Sequence, residues 1–307
     1  MARERLVDEP VTLATAEEVS GWLKTADSAV ELVGSDSKRD LRLEPRNPNR
    51  ARLQFIGAGI LEHFATDQVV RVLGGTPIQQ LLQDLAKTGQ TIPMPDPRSL
   101  GLAPAGFPGL LAGTISMDMP HAFAGSHGSW RDWVLGMTVV LSDGTTIKTG
   151  SNAVKNVAGY DLHKLFIGAR GTLGVITEVV LRTYPLKAFE SFQCHYRADQ
   201  SAAVRMLSSE RSSLCEWIQR VRRSNWATAC EQARAYDLFA DYESSTLWAK
   251  LPDGRELPRY PHDWVLRSGC GPQNVEISNP AQRDYMLRLK QKFDPANRLN
   301  PGEFGFL

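Results

Sequence analysis

The feature that most constrains this chain is the passage from a glycine-rich turn into a long β-branched run. Gly168-Ala-Arg-Gly-Thr-Leu-Gly174 empties into Val175-Ile-Thr-Glu-Val-Val-Leu181, after a lead-in from Val154 to Ile167 that reads as a loop and a short helix. The apolar run has the composition of a buried strand interior. Gly171 and Gly174 stand at its mouth, where the lack of a Cβ lets main chain come close to a neighbouring segment or a ligand. Two readings follow from the residues. The turn simply feeds a buried strand, or it is a backbone platform whose N–H groups face the phosphates or adenine of a nucleotide cofactor.

The preceding chain supplies partners for such a strand. Thr15-Ala-Glu-Glu18 is a capping box, and Val19, Trp22, Leu23 and Ala26 follow at helical spacing. A strand at Ala29–Val33 then runs into Gly34, Ser35, Asp36, Ser37 and Lys38, small polar residues and a lysine that suit either an ordinary turn or a diphosphate loop. Arg52–Ile56 with Gly57-Ala-Gly59 starts like a dinucleotide fingerprint, but Glu62 occupies the place of the third glycine. Val69–Leu73 is a further strand. Thr76-Pro-Ile-Gln79 predicts a helix capped by Thr76, with Ile78, Leu81, Leu82 and Leu85 on its core face and an end near Gly89. Met137–Leu141, the turn Ser142-Asp-Gly144 and Thr145–Lys148 predict a hairpin. Arg131 and Asp132 are expected to form a structural salt bridge.

Between Ile92 and Met119 the chain is rich in proline and glycine, which marks a functional loop more often than filler. Beyond Pro185 the pattern loosens. Residues 198–236 have helical composition, with Trp217, Ile218 and Val221 on a partial apolar face. Residues 237–275 mix short strands such as Thr246–Ala249 with turns, and a capped helix begins at Asn279-Pro280. The 307 residues, 42% of them hydrophobic, are enough for more than one core.

A formal charge of +1 with no basic run among aromatics argues against nucleic acid. Cys194, Cys215, Cys230 and Cys270 contain no CxxC pair, so neither a zinc ribbon nor an iron–sulfur cluster is expected, and free thiols are. The N-terminus lacks the apolar core of a secretion signal, and no stretch approaches the roughly 20 apolar residues of a membrane span. The expected place is the cytoplasm, or the inner face of a membrane where a partner docks the chain. Of the six histidines, His121 and His127 lie nearest the glycine-rich segment, and His63, His163, His195 and His262 have no partner at metal-ligand spacing. No metal site and no nucleophile with a nearby base can be argued.

Four ordered pieces carry a resemblance: the Gly34–Lys38 loop, the Gly113–Gly136 segment with its Trp-Arg-Asp-Trp-Val-Leu-Gly, Gly168–Ile176, and the closing Phe293-Asp-Pro-Ala-Asn-Arg-Leu-Asn-Pro-Gly302. Together they resemble the FAD-binding oxidoreductases of the vanillyl-alcohol oxidase and p-cresol methylhydroxylase (PCMH) type. Lys155-Asn-Val-Ala-Gly-Tyr-Asp-Leu162 brings the likeness nearest to the FAD-binding E subunit of glycolate oxidase.

The resemblance implies an α+β fold with a PCMH-type FAD-binding domain over residues 1–185, in two α/β subdomains of about 1–67 and 68–185. It implies a shortened cap domain over 186–275 and a C-terminal segment, 276–307, that returns to the FAD domain. It places FAD on Gly34, Ser35, Asp36, Ser37 and Lys38, on Pro95 and Asp96, and on Gly113, Thr114, Ile115, Ser116, Met117, Asp118 and Met119. It adds Arg170, Gly171, Thr172, Leu173, Gly174, Val175 and Ile176 for adenine and phosphate, and Asn300 at the ring edge. The His-x-His signature of the catalytic D-2-hydroxy acid subunits is absent from the sequence. The expected role is therefore a flavin-carrying subunit of a glycolate oxidase-like complex, beside a catalytic FAD-linked subunit and an iron–sulfur subunit. The alternatives are a self-sufficient FAD-linked 2-hydroxy acid oxidoreductase and a non-catalytic scaffold that has lost FAD.

Overall fold

A computed structural model describes residues 9–35, 50–94, 109–118, 128–150, 161–187, 217–233, 237–241, 246–250, 264–267, 275–277 and 280–305. The fold is α+β, as expected. Its first sheet is parallel, with β3 (Ala51–Phe55) between β1 (Val11–Leu13) and β2 (Val30–Val33). Helix α1 (Ala16–Thr25) makes the crossover between β1 and β2. Its capping box forms as the sequence predicts: the Glu18 N–H donates to Thr15 Oγ1 at 3.1 Å, and the Thr15 N–H donates to Glu18 Oε2 at 3.2 Å. Val19 and Leu23 are fully buried against Val30, Leu53 and Phe55. Removing each such aliphatic side chain from water stabilises the fold by about 1.5–3 kcal/mol.

The second sheet is antiparallel, in the order β4-β5-β9-β7-β8. It is built from β4 (Ile60–Phe64), β5 (Val69–Leu73), β7 (Val134–Val140), β8 (Thr146–Gly150) and β9 (Val175–Arg182), with the two-residue strands β6 (Gln90–Thr91) and β10 (Tyr184–Pro185) paired beside it. The β-branched run of β9 lies between β5 and β7, and Val179 and Leu181 are fully buried. Helix α2 (Ile78–Ala86) seals this core with Ile78, Leu81 and Leu85. Its cap differs from expectation. Pro77 is the N-cap residue, because the Thr76 hydroxyl is spent elsewhere, donating to the Leu73 carbonyl at 2.6 Å and accepting from the Gly59 N–H at 2.9 Å.

The chain changes sheet at Gly57–Gly59, ahead of the boundary expected near residue 67. Here the Gly-Ala-Gly has a packing purpose: a Cβ on Gly57 would lie 2.2 Å from the Ala14 carbonyl oxygen, and one on Gly75 would lie 2.7 Å from the Gly57 oxygen. Two strand ends are thus knotted main chain to main chain.

Helices α3 (Leu111–Ser116) and α4 (Trp130–Trp133) lie in the same core. Trp130 and Trp133 are fully buried and meet edge to face at 5.2 Å. The expected Arg131–Asp132 salt bridge does not form. Asp132 accepts from the Ser129 N–H and closes a capping box, while Arg131 donates to the carbonyls of Lys164 at 2.8 Å and Ile167 at 3.2 Å. Adjacent residues on a helical turn point apart, so each charge finds a different partner.

A third sheet, β12-β13-β11-β14-β15, comprises β11 (Trp217–Arg220), β12 (Asp237–Asp241), β13 (Thr246–Lys250), β14 (Trp264–Arg267) and β15 (Val275–Ile277), with helix α5 (Trp226–Ala233). Trp217 and Ile218, read as part of a helical face, belong to a strand paired on both sides. A four-residue apolar and polar run fits either period, and the two flanking strands decide it. Helix α6 (Pro280–Phe293) follows and leads into the C-terminal segment, where Leu299 bridges Val30 in parallel and so extends the first sheet.

Candidate functional site

The three separated glycine-bearing segments converge on one cleft between the first two sheets, holding about 860 Å³ of space that is part open to solvent. One wall is the end of the parallel sheet: Leu32 and Val33, then Gly34 and Ser35, with Leu53 and Phe55 beside them. The opposite wall is Gly74 at the end of β5 and the first turns of α3 with Leu110, Ala112, Gly113, Ser116 and Met117. Arg170, Gly171, Gly174, Val175, Ile176 and Asn300 complete it.

Each wall has a local cause. A Cβ on Gly74 would lie 2.5 Å from the Ile176 carbonyl oxygen, so glycine lets the ends of β5 and β9 meet. Gly171 has φ +73, and a Cβ there would lie 2.8 Å from Asn300 Nδ2. Gly174 serves packing as well: its Cβ would collide with Val139 Cγ1 at 2.5 Å. Gly113 is different. A Cβ there would meet nothing within 4 Å, so its side stays open to the cleft. Among the described residues the amides of Gly113, Gly171 and Gly174 make no hydrogen bond. Gly113 lies in the first turn of α3, where an amide has no acceptor within the helix, and the three amides are donors available to an acceptor-rich ligand.

Arg170 and Asn300 tie the walls together. The Arg170 N–H donates to the Ser116 carbonyl at 2.7 Å, and its guanidinium pairs with Glu303 at 3.2 Å and lies 5.2 Å from the Phe304 ring centre. Asn300 accepts from the Leu32 N–H at 2.7 Å and donates through Nδ2 to the Arg170 carbonyl at 2.7 Å. Both residues have left-handed backbone, φ 53 and φ 43, a conformation in which Asn is several-fold enriched over other non-glycine residues. Behind them Lys290, 4% exposed, donates to the Thr172 carbonyl, the Leu299 carbonyl and Asp294. Burial pushes the Lys290 ammonium below its ordinary pKa, and the Asp294 carboxylate works against that shift.

Of the residues expected at the site, the structure brings Gly34, Ser35, Gly113, Ser116, Met117, Arg170, Gly171, Gly174, Val175, Ile176 and Asn300 into the cleft. Others on the same segments point away. Thr114 is fully buried with its hydroxyl on the Leu110 carbonyl, Thr172 bonds the Ala169 carbonyl, and Ile115 and Leu173 belong to the core of the second sheet. Asp118, half-buried with φ 45, lies against Gly168 rather than along the cleft. Asp36, Ser37, Lys38, Pro95, Asp96 and Met119 lie outside the described residues, as do His121, His127 and Lys155–Tyr160. Sequence reasoning missed Leu32, Val33, Leu53, Phe55, Gly74, Leu110 and Ala112. The Gly74-Gly75 pair directly after a strand was the available signal for one of them.

His63 and His163 do structural work. His63 Nε2 lies 2.8 Å from Gln90 Oε1. His163 is 3% exposed with Nδ1 unpartnered among the described residues, and burial pushes its pKa below the ordinary value while Asp161 opposes the shift.

Comparison with known proteins bears on the ligand class. Residues 53–150 match the family model described as an FAD binding domain. The matched part holds Leu53 and Phe55 of β3, Gly74 and α3 of the cleft, while β2, the Arg170–Ile176 turn and Asn300 lie outside it. The glycolate oxidase subunit GlcD of Bacillus subtilis is 34% identical over 126 residues, 41% of this chain and 25% of that protein. The glycolate oxidase subunit GlcE of Escherichia coli is 32% identical over 127 residues, 41% of this chain and 35% of that protein. A D-lactate dehydrogenase of Anaerostipes hadrus is 36% identical over 126 residues, 41% of this chain and 25% of that protein. The chain thus spans between a quarter and about a third of the length of these curated relatives. Among the described residues no helix is long and apolar enough to cross a membrane.

Proposed function

We propose that this chain is an FAD-binding subunit of a glycolate (2-hydroxy acid) oxidase or dehydrogenase complex, in which a partner subunit oxidises the substrate. The supporting observation is the chemistry of the cleft. Its described lining consists of glycines, apolar side chains and the polar groups of Ser35, Ser116, Arg170 and Asn300. Those groups bind and orient; none of them is a base poised near neutral pH. The residues fit FAD, because Gly113, Gly171 and Gly174 offer unspent amides and Gly113 leaves the space a Cβ would fill. Leu32, Leu53, Phe55, Val175 and Ile176 would enclose an apolar part of the cofactor, and the glycine amides would hold its diphosphate.

Bound there, FAD supplies reversible electron acceptance. The chain's own residues exclude water with the apolar wall and keep the anion between main-chain donors. In this reading residues 1–185 form the FAD-binding domain, 186–275 the cap, and 276–307 the returning segment. An iron–sulfur subunit takes the electrons onward, and the complex sits in the cytoplasm or at the inner face of the membrane. The likeness to a relative named as subunit GlcE supports the subunit role.

The two other readings are a self-sufficient oxidoreductase and a scaffold without FAD. The test is to load the purified chain with FAD and add glycolate or D-lactate without oxygen. Tight FAD binding with an unchanged flavin spectrum is the expected result. Bleaching by either acid establishes independent catalysis, and failure to bind FAD establishes the scaffold.

A further inference from the structure

The Lys290–Asp294 pair has no place among the cleft-lining residues, yet it joins helix α6, the Arg170–Gly174 turn and the Arg298–Asn300 segment. The ammonium spends all three of its donors: on the Thr172 carbonyl at 2.8 Å, the Leu299 carbonyl at 2.7 Å and Asp294 Oδ2 at 2.6 Å. The carboxylate, 0% exposed, takes the Leu299 N–H at 2.7 Å on the same oxygen and the Arg298 N–H at 3.0 Å on the other. One residue after Leu299 comes Asn300, and one before Thr172 comes Gly171. Those two neighbours touch in the cleft wall, where Asn300 Nδ2 occupies the space beside Gly171.

A buried ion pair is a poor device for stability alone, since desolvation offsets much of the attraction and apolar replacements often serve as well. What this pair supplies is a fixed distance. Without it, the Arg170–Gly174 turn and the Arg298–Asn300 segment are joined chiefly through Asn300 itself and the Arg170–Glu303 contact.

We propose that Lys290 is a positioning residue for the cofactor cleft, holding the Arg170–Gly174 turn and the Arg298–Asn300 segment at the one spacing that admits FAD. The inference rests on the reading of the cleft as the FAD site. It makes the C-terminal segment part of the cofactor site from behind, although Lys290 itself lines no part of the cleft.

The test compares FAD affinity, by quenching of flavin fluorescence, with the thermal midpoint of the FAD-free full-length chain. Lys290→Met strands a buried carboxylate and lowers both. The decisive variant is Lys290→Met with Asp294→Leu, which removes the buried charges together. The expected result, read well below the variant's own midpoint where the FAD-free chain is folded, is FAD affinity at least tenfold weaker. A double variant that binds FAD as the parent does overturns the proposal. So does one whose affinity falls only with its midpoint.

Hydrogen exchange on the unaltered chain gives a second measure free of folding defects. FAD is expected to slow exchange at the Leu299 and Asn300 amides together with Gly171. Slowing at Gly171 alone overturns the proposal. Gly113→Trp, whose Cβ meets no neighbour within 4 Å, separates the two levels: if it binds FAD normally, the cleft assignment itself fails, whereas loss of binding there with normal binding by the double variant defeats only the role of Lys290.

Discussion

Gly113→Ala should move stability and cofactor affinity in opposite directions. Gly113 lies within α3, has ordinary helical backbone, and would place its Cβ in space with no neighbour inside 4 Å. Replacing a helical glycine by alanine removes a backbone-entropy penalty of about 0.5–1 kcal/mol. No steric term opposes that gain here. The FAD-free chain should therefore melt higher, by about 1–4 °C if roughly 2–4 °C per kcal/mol applies to a unit of this size. The open space, however, is the cleft, and the Gly113 amide is one of its unspent donors. A methyl group that keeps an anion from that amide forfeits a hydrogen bond to a charged group, worth about 1.5–3 kcal/mol. At about 1.4 kcal/mol per tenfold, FAD should bind about 10- to 100-fold more weakly. Differential scanning calorimetry of the FAD-free chain and a fluorescence titration with FAD read the two effects separately. Unchanged FAD affinity alongside the higher midpoint would refute the idea that α3 presents its backbone to the cofactor.

Gly171→Ala should lower both quantities. Its Cβ would have to displace Asn300 Nδ2 and Leu32 Cδ1, at 2.8 and 2.9 Å, and hold φ near +73. The left-handed backbone costs about 1–2 kcal/mol and the lost Asn300–Arg170 hydrogen bond about 1 kcal/mol more. A loss of about 2–3 kcal/mol by thermal or urea unfolding is expected, and a neutral result contradicts the packing described. His163 should contribute to acid sensitivity. Its folded pKa lies below its ordinary value of 6.5, so the unfolded chain takes up the proton first and stability falls as pH drops from 6.5 toward the folded pKa. His163→Gln should flatten that part of the melting-temperature profile relative to the parent, and an identical slope in both removes His163 from the account. Arg131→Met should loosen the turn before Gly168 by freeing the carbonyls of Lys164 and Ile167, and faster amide exchange across 164–174 is the sign to look for.

Local signals were legible where chemistry and periodicity acted on neighbours in the chain. The Thr15–Glu18 capping box, the hairpin turn at Asp143-Gly144 and the buried β9 run all formed as the residues imply. The cleft was legible in part, because glycines at 34, 113, 171 and 174 sit in short motifs. Which side of each motif faces the cleft was not legible. Thr114 and Ile115 alternate with Gly113 and Ser116 around a helical turn, and only the packing of α3 against β9 decides which pair is turned inward. Long-range polar choices were also hidden. Thr76 looks like a cap, but Gly59 claims its hydroxyl, and Arg131 looks like the partner of Asp132 until the Lys164 and Ile167 carbonyls come within its reach. Lys290 reads as one more exposed helical lysine, since nothing in α6 discloses that the Thr172 carbonyl lies beside it.

The central claim is that main-chain amides of Gly113 and of the distant turn holding Gly171 and Gly174 form the anion-holding edge of one FAD site. A crystal structure of the chain reconstituted with FAD tests it most directly. The account predicts one FAD in the cleft between the two sheets, with diphosphate oxygens within hydrogen-bond reach of amides among Gly113, Gly171 and Gly174. FAD seated elsewhere, or a diphosphate that touches none of these amides, would contradict it.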